Sequence, residues 1–238
     1  MHLSHVTIHP DLFPTRVHYP FNLSVFHQKT TLMLNRPVTF FAGENGTGKS
    51  TLLEAIADKC RIYPWQGVKR TRFDKSPFER DLYKAITVAW THGSVPGCLF
   101  SSQVFRSFAK VLDEWAASDP GVLDYFGGKS LMNQSHGQSL MSFFRSRFTI
   151  KGIYLLDEPE TALSPKSQLA LLRLLIAMSR AGHAQFIIAT HSPILLACPG
   201  SVIFSFDHTP IRPVSYEETD YYRIYKQFMT DNSAFLRE

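Results

Sequence analysis

Residues 43–50 read Gly-Glu-Asn-Gly-Thr-Gly-Lys-Ser and fit the pattern G-x-x-x-x-G-K-[ST] without a mismatch. A β-branched and aromatic run at 38–41 precedes this stretch, and a helix-type pattern at 49–59 follows it. In the order strand, glycine-rich loop and helix, backbone N–H groups can cradle a polyphosphate. The sequence therefore predicts a phosphate-binding loop, whose members are Gly43, Glu44, Asn45, Gly46, Thr47, Gly48, Lys49, Ser50 and Thr51.

Two carboxylates stand at the end of a second apolar run. Residues 153–156 are apolar and lead directly into Asp157 and Glu158. A buried carboxylate needs a partner, and a cation is the natural one, so we expect Asp157 to hold Mg²⁺ together with the hydroxyl of Ser50. Glu158 is predicted to act as general base on a water aligned with the terminal phosphate, while Lys49 contacts the phosphates themselves.

A histidine follows the next apolar run. Residues 185–189 form a buried-type strand, and Thr190, His191 and Ser192 come directly after it. Parallel strands of an open α/β sheet end at one edge, which is where ligands bind. His191 is therefore predicted to lie beside the same terminal phosphate and to donate a hydrogen bond to it or to the attacking water.

The last third of the sequence predicts a βαβ unit. A strand at 152–156 and a strand at 185–189 flank a helix whose start is marked by Ser164 and Pro165 and whose end is marked by Gly182. This order implies a right-handed crossover in a parallel sheet. Further elements are expected as short strands within 1–36, helices at 103–118 and 138–147, a hairpin of 202–206 with 211–215, and a helical segment at 217–235.

The predicted fold class is α/β, a P-loop NTPase with a mainly parallel sheet, N-terminal antiparallel strands and an inserted helical lobe. We expect one domain over 1–238, in which 1–60 and 151–238 form the nucleotide-binding core and 61–150 the lobe. Of the 238 residues, 44% are hydrophobic and 19% charged, which is typical of a globular protein. The net charge of +5 is too small to establish a nucleic-acid partner.

The cysteines and the hydropathy bear on the compartment. Three widely spaced cysteines form neither a disulfide framework nor a zinc signature, which favours a reducing compartment. We see no signal peptide and no run near the about 20 apolar residues that cross a bilayer. The expected localisation is cytoplasmic, without a transmembrane segment.

The order of the motifs resembles that of the ATP-binding cassette (ABC) ATPase superfamily. Members carry a glutamine loop and a signature motif that begins with serine and glycine; residues 133–139 look like that signature, with His136 where glycine is usual. The resemblance implies that Ser135, Gly137 and Gln138 contact the γ-phosphate of ATP held by a second subunit. It also implies that Gln103 is the glutamine-loop residue and a further Mg²⁺ ligand, the alternative being an ordinary glutamine at a helix start.

The resemblance covers nearly the whole chain and is closer to small, stand-alone bacterial ATPases near the chromosome-maintenance and DNA-repair branch. It implies a Mg²⁺-dependent ATPase, with ATP and Mg²⁺ bound, that acts as an ATP-sandwiched homodimer in DNA repair, chromosome handling or phage defence. Residues 160–164 occupy the position of the D-loop that crosses the dimer interface, with Ser164 in place of the usual aspartate. The alternative is the ATP-binding subunit of an ABC transporter with a membrane partner, although residues 140–144 differ from the run typical of transporters.

Several aromatic and basic residues remain open. The stretch 61–80 is rich in Arg and Lys with interleaved aromatics, which suggests either a nucleic-acid surface or a solvated arm of the lobe; we favour the arm. Phe21 and Phe26 are the candidates for stacking on adenine. Three tyrosines near 221–225 are interpreted as packing residues, namely Tyr221, Tyr222 and Tyr225.

Overall fold

The computed structural model describes residues 1–62, 76–126 and 128–236. Its strands are β1 (Leu3–Ile8), β2 (Thr30–Met33), β3 (Val38–Ala42), β4 (Ile86–Trp90), β5 (Gly97–Ser101), β6 (Gly152–Asp157), β7 (Ala184–Ala189), β8 (Val202–Ser205) and β9 (Arg212–Val214). Its helices are α1 (Lys49–Lys59), α2 (Ser102–Ala116), α3 (His136–Arg147), α4 (Pro165–Ala181), α5 (Pro193–Leu196), α6 (Asp220–Thr230) and α7 (Ser233–Leu236).

The larger sheet is mainly parallel, which confirms the predicted fold class. Its six strands run in the order β5-β6-β7-β3-β8-β9, and every neighbouring pair is parallel except β8 with β9. Asp157 at the end of β6 lies in register with Ala189 at the end of β7, and Ala189 lies in register with Phe41 near the end of β3. The loops after β3, β6 and β7 therefore leave the sheet at one edge.

The predicted βαβ unit is present with the predicted helix ends. The hydroxyl of Ser164 accepts a hydrogen bond from the N–H of Ser167 and caps α4, and Pro165 occupies the first turn. Gly182 ends the helix in the left-handed conformation at φ 74°, which glycine adopts without a steric cost. The predicted hairpin and the helical segment after it correspond to β8–β9 and to α6 with α7.

The N-terminal antiparallel strands form a smaller sheet of three, in the order β2-β1-β4. The side chain of Gln185 on β7, fully buried, joins this sheet to the larger one. Its carbonyl oxygen accepts from the N–H groups of His2 and Leu3, and its amide nitrogen donates to the carbonyls of Leu3 and Leu34. One side-chain amide thus supplies hydrogen-bond partners to four backbone groups that water does not reach.

The segment 61–150 contains two strands that the sequence did not predict. β4 completes the smaller sheet, and β5 forms the edge of the larger one beside β6. Helices fill the part that follows β5, with α2 and α3 joined by a 3-10 segment at Pro120–Phe126. Phe100 of β5 packs against Phe143 and Phe144 of α3, with ring centroids 5.9 and 4.9 Å apart, and so holds α3 on the sheet. Within the described residues, no helix combines the length and the apolarity that a membrane crossing needs.

Candidate functional site

The loop between β3 and α1 has the backbone that its glycines allow. Gly43, Gly46 and Gly48 have φ values of 147°, 81° and 100°, where side chains with a Cβ are disfavoured. A Cβ on Gly48 would lie 2.8 Å from the ring of Phe26, so the loop also requires glycine for space. Glu44, Asn45 and Gly46 form its exposed tip. The loop thus presents backbone to the surface at the N-terminus of α1, which suits a phosphate group.

Lys49 is the first residue of α1 and is only 5% exposed. Its ammonium donates to the carbonyl of Gly43 at 2.6 Å and to that of Glu44 at 2.8 Å. Burial lowers the pKa of Lys49, and nearby carboxylates, Glu158 first among them, oppose that shift. An ammonium has three hydrogens, so one remains for a phosphate oxygen while the other two hold the loop.

Ser50 and Asp157 are in contact although they are 107 positions apart in the sequence. The Ser50 hydroxyl donates to Oδ1 of Asp157 at 2.7 Å. Burial raises the pKa of Asp157 to about 6, and the Ser50 hydrogen bond works against that rise. Mg²⁺ is commonly held by one or two protein oxygens together with phosphate oxygens and waters, so this hydroxyl and carboxylate fit such an ion. The raised pKa reflects a buried carboxylate whose charge a cation would stabilise.

Glu158 and His191 also lie together. Oε1 of Glu158 is 3.4 Å from Nε2 of His191, and Oε2 of Glu158 accepts from the hydroxyl of Thr161. Glu158 has φ 46°, an uncommon left-handed conformation for a residue with a side chain. Its N–H donates to the carbonyl of Ala189, and its own carbonyl accepts from the hydroxyl of Ser102. Backbone contacts on both sides therefore hold the residue in this conformation.

Glu160 fixes the backbone of His191. Its Oε1 accepts from the backbone N–H of His191 at 2.7 Å, so the loop after β7 is tied to the loop after β6. Burial raises the pKa of Glu160, while burial and the charge of Lys49 lower that of His191. In the sequence, Glu160 stands out only as the first residue at the position of the D-loop, with no signal that it contacts His191.

Tyr221 packs against the hydrophobic core as the sequence predicts, and its hydroxyl makes polar contacts as well. Its hydroxyl lies 2.6 Å from Nδ1 of His191 and donates to the carbonyl of Gly43 at 2.7 Å. Tyr225, in contrast, is 56% exposed, so the interpretation of this residue as a packing residue is wrong. Asp207, two residues after β8, is a further residue at the loop that the sequence does not predict; its Oδ1 accepts from the N–H of Glu44 at 2.8 Å. Neither Tyr221 nor Asp207 belongs to a sequence motif, and only the fold brings them to the loop.

The residues of the predicted signature begin α3. Ser135 and Gln138 form a capping box, in which the Ser135 hydroxyl accepts from the N–H of Gln138 and the Gln138 carbonyl oxygen accepts from the N–H of Ser135. A Cβ on Gly137 would lie 3.3 Å from the carbonyl of Ala162, so this turn packs on the loop after β6. Because the Ser135 hydroxyl only accepts in the box, its hydrogen is still available to a phosphate.

The adenine candidates Phe21 and Phe26 are wrong. Their side chains are 1% and 0% exposed and belong to the core, so neither ring has a face for a base. Tyr19 is a partly exposed aromatic beside the first turn of α1. It is 39% exposed, and its hydroxyl lies 2.8 Å from the hydroxyl of Thr51 in the first turn of α1.

Two further predictions fall partly outside the residues that the structure describes. Gln103 lies in the first turn of α2, directly after the strand end that pairs with Asp157, and its side chain lies outside what the structure describes. In the basic stretch 61–80, residues 63–75 lie outside the described ranges. Of the remainder, Arg80 forms an ion pair with Asp58 at 2.8 Å, and Phe78 packs on Phe21.

Fold and site together define a P-loop nucleotide-binding domain. Two family models match parts of the chain: one described as "AAA domain, putative AbiEii toxin, Type IV TA system" over residues 140–197, and one described as "AAA domain" over 21–58. No curated protein matches the chain. These partial matches are to AAA domains, and the solved structures below share the fold of P-loop ATPase domains of the ABC type.

Three solved structures show the same fold at low identity. The SMC head domain from Thermotoga maritima is 15% identical, with 90% of this chain and 100% of that chain covered, at a TM-score of 0.52. CbiO1 from Clostridium perfringens, part of the ABC transporter complex CbiONQ, is 19% identical with 98% of both chains covered, at 0.51. The SMC head bound to the C-winged helix domain of ScpA is 11% identical, with 92% and 99% covered, at 0.53.

Proposed function

We propose that this chain hydrolyses ATP to ADP and phosphate with Mg²⁺, and that it does so as an ATP-sandwiched homodimer. The observation that carries the proposal is the convergence of four side chains from distant parts of the sequence. Ser50 meets Asp157 at 2.7 Å, and Glu158 meets His191 at 3.4 Å, at the edge where the glycine-rich loop leaves the sheet. AAA and ABC ATPase domains are nucleotide hydrolases, which agrees with this arrangement.

The residues divide the chemistry between them. Lys49 and the loop N–H groups bind the phosphates, and Mg²⁺ held by Ser50 and Asp157 would supply charge neutralisation for the departing phosphate. Glu158 is partly exposed beside the loop and accepts a proton from the attacking water. Thr161 donates to one oxygen of its carboxylate and so orients the base, and Nε2 of His191 lies 3.4 Å from the other oxygen.

Glu158→Gln is the test of this assignment. The variant keeps the shape of the side chain and loses the base, so ATP binding should remain within about twofold while turnover falls by about 100-fold or more. Glu114→Gln, an exposed carboxylate on α2, is the matched control and should hydrolyse ATP as the wild type does. A Glu158→Gln protein with wild-type turnover would show that the base lies elsewhere.

The homodimer rests on the geometry of the capped turn before α3. Ser135 and Gly137 have a hydroxyl hydrogen and a backbone N–H to offer, and Gly137 packs on the loop after β6 of its own chain. A second subunit would therefore complete the phosphate site of the first. Hydrolysis per protein molecule should rise steeply with protein concentration, and Glu158→Gln with ATP should elute as a dimer. A rate per molecule that does not depend on concentration would contradict the dimer.

For the process that hydrolysis drives, we propose a DNA-associated role in repair, chromosome handling or phage defence. The support is the fold shared with SMC head domains and the match to the AAA family over residues 140–197. Because an ABC transporter component is matched equally well, co-purification with a membrane protein is the outcome that would favour transport. DNA-stimulated hydrolysis that weakens with added salt is the expected result, and hydrolysis unaffected by DNA at low salt would remove this role.

We also propose that Tyr19 stacks on the adenine. Its ring is partly exposed at the first turn of α1, next to the loop that would bind the phosphates, and its hydroxyl is fixed by Thr51. Aromatic rings stack on bases with a gain of about 1–3 kcal/mol. The base would then lie beside the first turn of α1, close to Thr51.

A further inference from the structure

Tyr221 connects two parts of the candidate site that no sequence motif connects. It is the second residue of α6, and its hydroxyl contacts both the carbonyl of Gly43 and Nδ1 of His191. The two rings meet edge to face, with centroids 5.5 Å apart at 89°. The start of α6 is fixed in turn by the buried Thr219, whose hydroxyl oxygen accepts from the N–H of Tyr222.

The direction of each hydrogen bond follows from the chemistry of the partners. A carbonyl oxygen can only accept, so Tyr221 must donate its single hydroxyl hydrogen to Gly43. The tyrosine oxygen is then an acceptor toward His191, and Nδ1 of His191 must carry a hydrogen. Tyr221 therefore selects the Nδ1–H form of the neutral imidazole, in the way that a second hydrogen bond generally sets a histidine tautomer.

The selected form determines what His191 offers on its other side. With the hydrogen on Nδ1, the neutral ring has a lone pair on Nε2, and this atom lies 3.4 Å from Oε1 of Glu158. Nε2 is also buried and has no hydrogen-bond partner among the described residues, which agrees with a ring nitrogen that carries no hydrogen. His191 in this form has no hydrogen to donate at Nε2, which differs from the donor role that the sequence predicts.

The same carbonyl ties the histidine to the phosphate-binding lysine. Gly43 accepts from Lys49 at 2.6 Å as well as from Tyr221 at 2.7 Å. Gly43 has φ 147°, and a Cβ at this position would lie only 3.0 Å from Oδ1 of Asp207, so the residue has little room to turn. The loop, the lysine and the histidine ring thus share one fixed acceptor.

We propose that Tyr221 is a positioning residue for hydrolysis, whose hydroxyl sets the ring orientation and the tautomer of His191 and ties that ring to the phosphate-binding loop. The proposal rests on the proposed ATPase function. It makes α6 part of the catalytic machinery, although α6 carries none of the recognised motifs. A tyrosine that served only to attach α6 would do so mainly through its ring and would not need its hydroxyl.

Tyr221→Phe removes the hydroxyl and keeps the ring, so it separates the two roles. We expect kcat to fall by about 10-fold or more, with the Kd for ATP within about twofold and the thermal midpoint close to that of the wild type. Tyr225→Phe, an exposed tyrosine on the same helix, is the control and should leave kcat unchanged. Wild-type kcat in Tyr221→Phe would overturn the proposal.

A double variant tests whether Tyr221 acts through His191. In a His191→Ala background, adding Tyr221→Phe should change kcat by less than about twofold, because the group to be positioned is already absent. If the second substitution still lowers kcat by its full factor, Tyr221 acts by another route and the proposal fails.

The ring nitrogens of His191 provide a readout that does not need turnover. In ¹⁵N spectra of the protein without nucleotide, with the signal assigned by its absence in His191→Gln, we expect the Nδ1–H form in the wild type and its loss in Tyr221→Phe. An Nε2–H form in the wild type would overturn the proposal. If the wild type fails to hydrolyse ATP, the proposed function is wrong, and this measurement still decides whether Tyr221 sets the ring of His191.

Discussion

The hydroxyl of Ser50 donates to the carboxylate of Asp157 across 2.7 Å, joining the start of α1 to the end of β6. The pair is both the proposed metal site and a point of buried charge. Because an unscreened carboxylate is costly in such a place, binding the metal and stabilising the fold are linked there. Removing the charge should therefore lower the ATPase activity and raise the free energy of unfolding.

Asp157→Asn should make the protein without metal more stable and inactive. Burial raises the pKa of Asp157 from 3.8 to about 6, so the folded state holds the proton more tightly than the unfolded state does. The resulting loss of stability grows as the pH rises between about 4 and 6 and is complete above that range. By about 1.4 kcal/mol per pKa unit, the neutral asparagine should gain about 1–3 kcal/mol at pH 7.5.

Unfolding in urea at pH 7.5 and at pH 4 measures this gain, and Mg²⁺-dependent hydrolysis measures the loss of function. The gain should shrink at pH 4, where the wild-type carboxyl is largely protonated in the folded state. Asp58→Asn, which removes a surface ion pair with Arg80, is the control and should not gain stability. Equal or lower stability of Asp157→Asn at pH 7.5 would show that Ser50 and Lys49 already offset the burial.

Ser135→Asp should abolish hydrolysis without weakening the fold. Aspartate caps a helix as well as serine does, so α3 should keep its cap and the thermal midpoint should stay close to the wild-type value. Its negative charge would repel the phosphate of a second subunit and prevent the ATP-dependent dimer. Size-exclusion chromatography in a Glu158→Gln background, with Ser135→Thr as the control, measures the dimer. A Ser135→Asp protein that still dimerises with ATP would reduce Ser135 to a helix cap.

Tyr19→Ala should weaken ATP binding, and Tyr19→Phe should not. The phenyl ring retains the stacking surface and loses only the hydrogen bond to Thr51. Loss of stacking worth about 1–3 kcal/mol corresponds to a Kd raised by roughly 5- to 150-fold in the alanine variant. Titration with ATP and with inorganic triphosphate separates the contribution of the base from that of the phosphates, since only the affinity for ATP should fall. Equal weakening for both ligands would place the effect in the loop instead.

Gln185→Leu should destabilise the protein by at least about 3 kcal/mol. The substitution leaves two backbone N–H groups and two carbonyls without the partners they now have, at about 1–3 kcal/mol for each buried group. Chemical unfolding measures the change. Gln168→Leu, a partly buried glutamine near the start of α4 with fewer hydrogen bonds, is the comparison and should cost less. Similar losses of stability in both variants would mean that the hydrogen bonds of Gln185 between the two sheets stabilise the protein no more than those of Gln168 do.

The sequence predicts those features of the molecule that depend on residues close together along the chain. The glycine-rich loop, the cap of α4 by Ser164 and its end at Gly182 each follow from residues within a few positions. The edge shared by the loops after β3, β6 and β7 also follows, because parallel topology implies it. These features make up most of the larger sheet and the motif residues of the candidate site.

What the sequence could not predict depends on contacts between distant segments. β4 and β5 lie in a stretch without clear periodicity and become strands by pairing with β1 and β6. Phe26 looks like a free aromatic in the sequence and is buried beneath Gly48 in the fold. Tyr221 reaches Gly43 only because β8 and β9 direct the chain back past the loop, so its spacing from any motif carries no signal.

The amide of Gln185 bonds His2, Leu3 and Leu34 from the middle of the larger sheet, and this has a mechanical consequence. A force or a bound partner that separates the N-terminal strands from the larger sheet has to break four hydrogen bonds at one point, so we expect the two sheets to move together. If the proposed ATP hydrolysis is accompanied by a conformational change, we therefore expect that change in the helices between β5 and β6, and distance probes placed on α3 and on β1 would record it.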